Sequence, residues 1–196
     1  MDSALPATEK TTAHPSDEAA GVVGAGIETT KWAAIVTCFH IVDNPSIRRR
    51  LQQDLQDAFP DMSYTPTLAE LDRVPYLMAC IEEGLRLSYG AVARSPRIHR
   101  LKAISYKQYT IPAGVPVSSN AWHAHHDELI FPSSFSFVPE RWLNNAKGPD
   151  GKKNLARYAM FFGKGTRICL GLQLEYAELE MVVAMLFRGL FEFEFY

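Results

Sequence analysis

The feature that most constrains this chain is a ten-residue stretch near its C-terminal end, Phe162-Gly163-Lys164-Gly165-Thr166-Arg167-Ile168-Cys169-Leu170-Gly171. It reads as a glycine-loosened loop feeding a helix over about Cys169 to Phe187, with the cysteine at the helix start. Backbone N–H groups at a helix N-terminus, and an arginine beside them, favour a thiolate over a thiol. Gly165 and Gly171 permit a tight turn and the close approach of a planar neighbour. Phe162 stands where it can shield the sulfur from water. A thiolate held in this way is a soft donor for a transition metal. With one cysteine and no partner cysteine near it, haem iron is the natural acceptor.

Composition narrows the alternatives. The chain has 196 residues, of which 47% are hydrophobic and 21% charged, enough apolar material to bury a core. That excludes intrinsic disorder as a whole-chain reading. The net charge of −2 gives no electrostatic argument for a nucleic-acid partner. Cys38, Cys80 and Cys169 lie far apart, which argues against a disulfide framework or a zinc ribbon. Their odd number leaves a free thiol and points to a reducing compartment. The polar start lacks the pattern of a secretory signal. The most apolar stretch, Ala19 to Val42, is interrupted by Glu28 and Lys31, so no membrane span is expected.

Residues 1–17 read as a flexible lead-in. A long helix is expected from about Asp17 to Val42, with Ser16 as N-cap and Pro15 forcing a late start, since proline is tolerated only in a first turn. Gly21, Gly24 and Gly26 each cost about 1 kcal/mol relative to alanine in a helix interior, which calls for a body lying close to the backbone. Asn44-Pro45 ends that helix. A second follows over about Pro45 to Phe59, and a third from Leu68 or Val74 to Leu87. From Val92 to Ser119 short alternating runs broken by Pro112, Gly114 and Pro116 predict strands. Residues 120–168 show little periodicity, and loops that long are functional or supported by something large. The closing Phe191 to Tyr196 alternates like a strand. The fold class is therefore mainly α with a small β portion.

The FxxGxRxCxG pattern over Phe162, Gly165, Arg167, Cys169 and Gly171 resembles the haem-binding signature of the cytochrome P-450 haem-thiolate monooxygenases. A chance match has odds on the order of one in ten thousand. Two further motifs are uninformative alone and gain meaning from their order. Glu83-Gly84-Leu85-Arg86 resembles the ExxR of that family, although a lone ExxR reads equally as a surface ion pair. Pro139-Glu140-Arg141-Trp142 resembles its PERF/PERW motif. The resemblance implies that Glu83, Arg86 and Arg141 form a buried ion network bracing the cysteine loop. Ala25-Gly26-Ile27-Glu28-Thr29-Thr30 is similar to the central-helix motif in which an acid and an alcohol relay protons. It assigns that role to Glu28 and Thr29. Standing alone, the segment is a small-residue helix contact.

The same resemblance assigns Arg97 and Arg167 to the haem propionates, with Arg94 as a second candidate for the former, and makes Ala91, Val92 and Ala93 pocket walls. His123, His125 and His126 fall in a segment where a His-Asp pair is structural, and no zinc spacing accompanies them. Cys38 and Cys80 read as small core residues.

The match covers nearly the whole chain and looks most like fungal microsomal members of secondary metabolism. It implies a partial cytochrome P-450 fold over 18–196, from the central helix through the haem loop to the following helix. It further implies haem b (iron protoporphyrin IX) as cofactor, electrons from NADPH through NADPH-cytochrome P-450 reductase, and a small apolar organic substrate. The location it implies is the cytosolic face of the endoplasmic reticulum, through an anchor absent from this stretch. The N-terminal half, the anchor and the last hairpin of the family are also expected to be absent. Two other readings stand beside a working monooxygenase: a truncated, non-catalytic fragment that binds haem weakly or not at all, and a module that works by association with a separate chain.

Overall fold

The computed structural model describes residues 6, 11 and 13–189. Six α-helices and four short strands follow in the order α1 (Ala13–Asp43), α2 (Pro45–Ala58), α3 (Leu68–Leu71), α4 (Pro75–Ser88), β1 (Arg97–Ile98), β2 (Ile104–Tyr106), β3 (Tyr109–Ile111), β4 (Pro116–Val117), α5 (Ala121–His125) and α6 (Leu172–Gly189). Single 3₁₀ turns stand at Pro139–Trp142, Leu155–Arg157 and Gly165–Arg167. The mainly α class with a small β portion is what the periodicity predicts.

Two helix boundaries differ from the sequence reading. α1 begins at Ala13, so Ser16 and Asp17 lie inside it rather than at its cap, and the lead-in is shorter than 1–17. Pro15 is its third residue, where a missing N–H deprives no carbonyl. α6 begins at Leu172, so Cys169 precedes the helix instead of opening it. The alternating segment 191–196 lies outside the described residues. The expected third helix is two, because Asp72 caps α3 and Pro75 starts α4 afresh.

The core gathers around α4. Its Leu77, Cys80, Ile81 and Leu85 are fully or almost fully buried, and it packs against α1, α2, α6 and the Pro139–Trp142 turn. α2 adds Leu51 and Leu55, four apart on one face, and α6 adds Leu179 and Val183 in the same way. α1 buries Ala33, Thr37 and Ile41, again at four-residue spacing, and only in its C-terminal half. Gly84 sets the closeness of the α1–α4 crossing. A Cβ there would lie 1.8 Å from Thr37 Oγ1, so only glycine lets the helices meet at this distance. The small β portion is two antiparallel pairs: β1 with β4, placing Arg97 opposite Val117, and the β2–β3 hairpin, placing Ile104 opposite Ile111.

Arg188 ties the end of α6 to the α2–α3 connection. It is buried and donates to the carbonyls of Phe59 (3.1 Å), Tyr64 (2.5 Å) and Asp61. The small residues of α1 behave otherwise than expected. Among the described residues nothing comes within 4 Å of a Cβ built on Gly21, Gly24 or Gly26, and Val22, Val23 and Ile27 beside them are about half exposed.

Candidate active site

The loop between Leu155–Arg157 and α6 has few regular elements, yet its path is fixed by backbone hydrogen bonds. The Cys169 N–H donates to the Phe162 carbonyl at 2.9 Å, closing the loop at its base. The Gly163 N–H returns to the Met160 carbonyl at 2.9 Å, and the Ile168 N–H reaches the Gly165 carbonyl at 3.2 Å. Gly163 and Gly165 take φ of +72° and +77°, the left-handed region that side-chain-bearing residues avoid. The tight turn thus falls at Gly163 and Gly165. Gly171 takes no such conformation, and a Cβ on it would sit in ordinary contact, 3.9 Å from the Cys169 sulfur. Phe162 packs edge-on to Phe161 and tilted against Tyr176, with ring centroids at 5.0 and 5.4 Å.

Cys169 is exposed and opens onto a cleft of about 570 Å³. Phe162, Gly163 and Arg167 of the loop, Ala91, Ala93 and Arg97 of the segment after α4, and Thr29 of α1 line it. Val92, expected beside the two alanines, is 54% exposed and does not line it. The Thr29 hydroxyl donates to the Ala25 carbonyl at 2.8 Å, drawing that carbonyl towards a side chain. Glu28 does not share the cleft. Successive helical residues point about 100° apart, so with Thr29 facing in, Glu28 faces solvent and pairs with Lys31 at 2.6 Å. Arg97 makes only long contacts to its own neighbours, the Pro96 and Ser95 carbonyls at 3.3 and 3.5 Å. Arg167 makes no ion pair among the described residues.

Behind the loop lies a buried polar frame. Glu83 and Arg86 are both fully buried. Arg86 uses all five of its N–H bonds. Nε and Nη2 donate to Glu83 at 2.9 and 2.8 Å, Nη1 to the His125 and Ser134 carbonyls at 2.9 and 2.7 Å, and Nη2 also to the Ser136 carbonyl at 3.1 Å. Glu83 accepts three more hydrogens, from Arg141 Nε (3.0 Å), Trp142 Nε1 (2.8 Å) and the Val138 N–H (3.0 Å). The irregular segment 126–142 is held by this pair, which explains how a stretch without periodicity keeps one path. Glu140 of the same turn faces outward and is bridged to Arg50 and Tyr76, each at 3.0 Å.

The histidines have separate duties. His125 is fully buried, its Nε2 accepts the Met160 N–H at 2.9 Å, and burial brings its pKa down to about 4. His126 pairs with the Tyr89 hydroxyl at 2.8 Å and the Ser134 hydroxyl at 3.2 Å. His123 sits edge-on to Trp122. Glu82 backs the loop from α4. Its Oε1 accepts the Tyr176 hydroxyl at 2.8 Å, and burial raises its pKa. Sequence reasoning named the ion network but not Gly84, Gly90, Trp142 or the contact of His125 with Met160.

The residues fit the group that the sequence implies. A soft sulfur donor opens onto a cleft whose surface is largely apolar. Arg97 and Arg167 also line it, and among the described residues neither makes an ion pair with a carboxylate, so both are available to an anionic group.

The cytochrome P450 family model matches residues 8–196, and the chain belongs to that family. It is 41% identical over its full length to the cytochrome P450 monooxygenase sdnE of Sordaria araneosa. It is 43% identical over 189 residues to the cytochrome P450 monooxygenase oblB of Aspergillus clavatus, and 44% over 191 residues to orf4 of Eupenicillium brefeldianum. The chain spans 38%, 35% and 37% of the lengths of these three relatives. Among the described residues no helix is long and apolar enough to cross a membrane.

Proposed function

We propose that this chain is the thiolate-bearing part of a haem monooxygenase acting on a small apolar organic substrate in fungal secondary metabolism. The observation that carries the reading is the exposed Cys169 sulfur in a cleft flanked by Arg97 and Arg167 and faced by Thr29. When bound, haem b supplies the oxygen chemistry, in which one atom of O2 enters the substrate and the other leaves as water. Cys169 would hold its iron, and Arg97 and Arg167 would neutralise its propionates. Phe162 anchors the loop, its carbonyl accepting the Cys169 N–H and its ring packing on Phe161 and Tyr176.

The Thr29 hydroxyl has its own hydrogen directed at Ala25, so its lone pairs face the cleft and can accept a proton-bearing partner. Glu28 acts from the solvent side of α1, as an acid one residue away that exchanges protons with water. Glu83, Arg86 and Arg141 carry no chemistry and hold the segment behind the loop. Electrons come from NADPH through a cytochrome P450 reductase docking on the cysteine side. The family's microsomal members support a location on the cytosolic face of the endoplasmic reticulum.

The test is the reduced, carbon-monoxide-bound spectrum of the chain reconstituted with haem. The expected result is a red-shifted, thiolate-type Soret band that Cys169→Ala abolishes. A histidine-ligated or free-haem spectrum in the unaltered chain overturns the reading.

A further inference from the structure

The segment entering the cysteine loop is gripped by residues outside both the ion network and the cleft's cations. On one side is His125, whose Nε2 accepts the Met160 N–H at 2.9 Å. Its ring lies against Phe131, Phe161 and Tyr89, with centroids at 6.2, 5.8 and 6.4 Å. On the other side is Gly90. Its φ is +58°, and a Cβ built on it would sit 2.3 Å from the Phe161 carbonyl oxygen and 3.1 Å from its carbon. Tyr89 joins the two. It ends α4 in the left-handed region at φ +65°, stacks on His125, and bonds through its hydroxyl to His126. The ends of α4 and α5 therefore meet the same two residues, His125 at the Met160 N–H and Gly90 at the Phe161 carbonyl. The Arg86–His125 bond anchors the jaw to the buried frame.

We propose that His125 and Gly90 clamp the two-residue segment Met160–Phe161, one at its N–H end and the other at its carbonyl end, and so set the position of Cys169, making His125 a positioning residue for the sulfur. The path from clamp to sulfur is short. The Gly163 N–H is bonded to the Met160 carbonyl and the Cys169 N–H to the Phe162 carbonyl, each at 2.9 Å. A shift of the 160–161 segment reaches Cys169 through two hydrogen bonds instead of being lost in a flexible loop. The clamp requires Nε2 to be an acceptor. Burial keeps the ring neutral, and with Nε2 accepting the proton resides on Nδ1, which is buried without a partner among the described residues. Gly90 cannot be replaced without moving backbone, because the atom it meets is a carbonyl rather than a side-chain end.

The role assigned to Cys169 rests on the proposed haem-thiolate function, and the experiment separates the two. The full chain carries His125→Phe, which keeps an aromatic ring and removes the acceptor, His125→Gln, which restores one, or Gly90→Ala. Hydrogen exchange on the haem-free protein compares the Met160 amide with the amides of Leu51 and Leu55 in α2. Loss of the bond in His125→Phe is expected to speed Met160 exchange by about tenfold or more while α2 is unchanged, with His125→Gln recovering most of the protection. After haem reconstitution, the thiolate-type share of the carbon-monoxide spectrum is expected to fall several-fold in His125→Phe and Gly90→Ala and to return in His125→Gln. Met160 exchange that is unchanged, or that rises only in step with α2, overturns the clamp. So does a full thiolate-type band in His125→Phe with the Met160 amide released. A wild-type chain without a thiolate-type band sinks the haem reading, and amide exchange still decides the clamp.

Discussion

Removing Glu83 is the most informative single perturbation of the frame. Its two oxygens accept five hydrogens at zero exposure, from Arg86 twice, Arg141, Trp142 and the Val138 backbone. One carboxylate thus answers two guanidiniums, and Arg141 Nη2 is already buried without a partner among the described residues. Glu83→Ala leaves both cations unpaired and strands Arg86, whose side chain has no solvent access. Breaking a buried pair costs about 3–5 kcal/mol, which at this chain length lowers Tm by about 6–20 °C. Arg141→Met should cost much less, because it leaves a one-to-one pair and Glu83 keeps four donors. A Glu83→Leu/Arg86→Met double variant should recover only part of the loss, since it frees the carbonyls of His125, Ser134 and Ser136 from their donor. The assay is urea unfolding followed by far-ultraviolet circular dichroism, with Glu28→Gln on the exposed Lys31 pair as the control expected within about 0.5 kcal/mol of wild type. A Glu83→Ala variant within about 1 kcal/mol of wild type, or an Arg141→Met variant equally destabilised, would refute the claim that Glu83 is the hub.

The neutral state of His125 predicts acid sensitivity. Its folded-state pKa of about 4 lies below the ordinary 6.5, so between those values the unfolded chain binds a proton that the native chain refuses, and stability falls as pH falls. That window should remove on the order of 3 kcal/mol, and the slope of urea midpoint against pH should flatten in His125→Phe; identical slopes would exclude this source. Gly84→Ala forces a Cβ into Thr37 and should lower stability by about 1–3 kcal/mol, partly relieved by a second change of Thr37→Ala, as read by thermal unfolding. Glu180 is buried on α6 and its pKa is raised to about 7, chiefly by burial, so its favourable neutral form is present at low pH and lost as pH rises through 7. Glu180→Gln should therefore raise Tm at pH 8, by a gain on the order of 1 kcal/mol, and leave it unchanged at pH 5.

The loop motif was legible because its chemistry is local. A cysteine, its arginine and the turning glycines fall within ten residues, and the structure keeps that order even though α6 starts at Leu172 instead of Cys169. Glu83 and Arg86 were legible only through the family resemblance, since one helical turn apart they read equally as a surface pair. What places them at zero exposure is the wrapping of residues 126–142, which no local pattern announces. The glycines show the same division. Gly165 declares itself by a turn, which the sequence reading extended to Gly171 and the structure extends to Gly163, and Gly21, Gly24 and Gly26 declare themselves by their cost in a helix. Gly84 is demanded by a threonine 47 positions away on another helix, and Gly90 by a carbonyl 71 positions away. A glycine's purpose can be read from sequence when the constraint is its own φ, and not when the constraint is another segment's approach.

That distinction bears on where this chain's rigidity lies. Many of the long-range contacts that sequence could not announce converge on α4: Thr37 on Gly84, Trp32 on the Ser88 carbonyl at 3.2 Å, Tyr176 on Glu82, Arg141 and Trp142 on Glu83, and Phe161 on Gly90 just past the helix end. One fourteen-residue helix therefore receives the central helix, the helix after the loop, the Pro139–Trp142 turn and the segment entering the loop. α1 and the helix that follows the cysteine loop each pack on α4 and also on one another. The separation of Thr29 from Cys169 is thus set by the attachments to α4 together with the α1–α6 contact. A substitution in α4 that preserves burial but alters either attachment, such as Gly84→Ala on one side or Gly90→Ala at its end, should change the cleft's width in opposite parts of the site. It should do so without touching a residue that faces the cleft from α1 or from the cysteine loop.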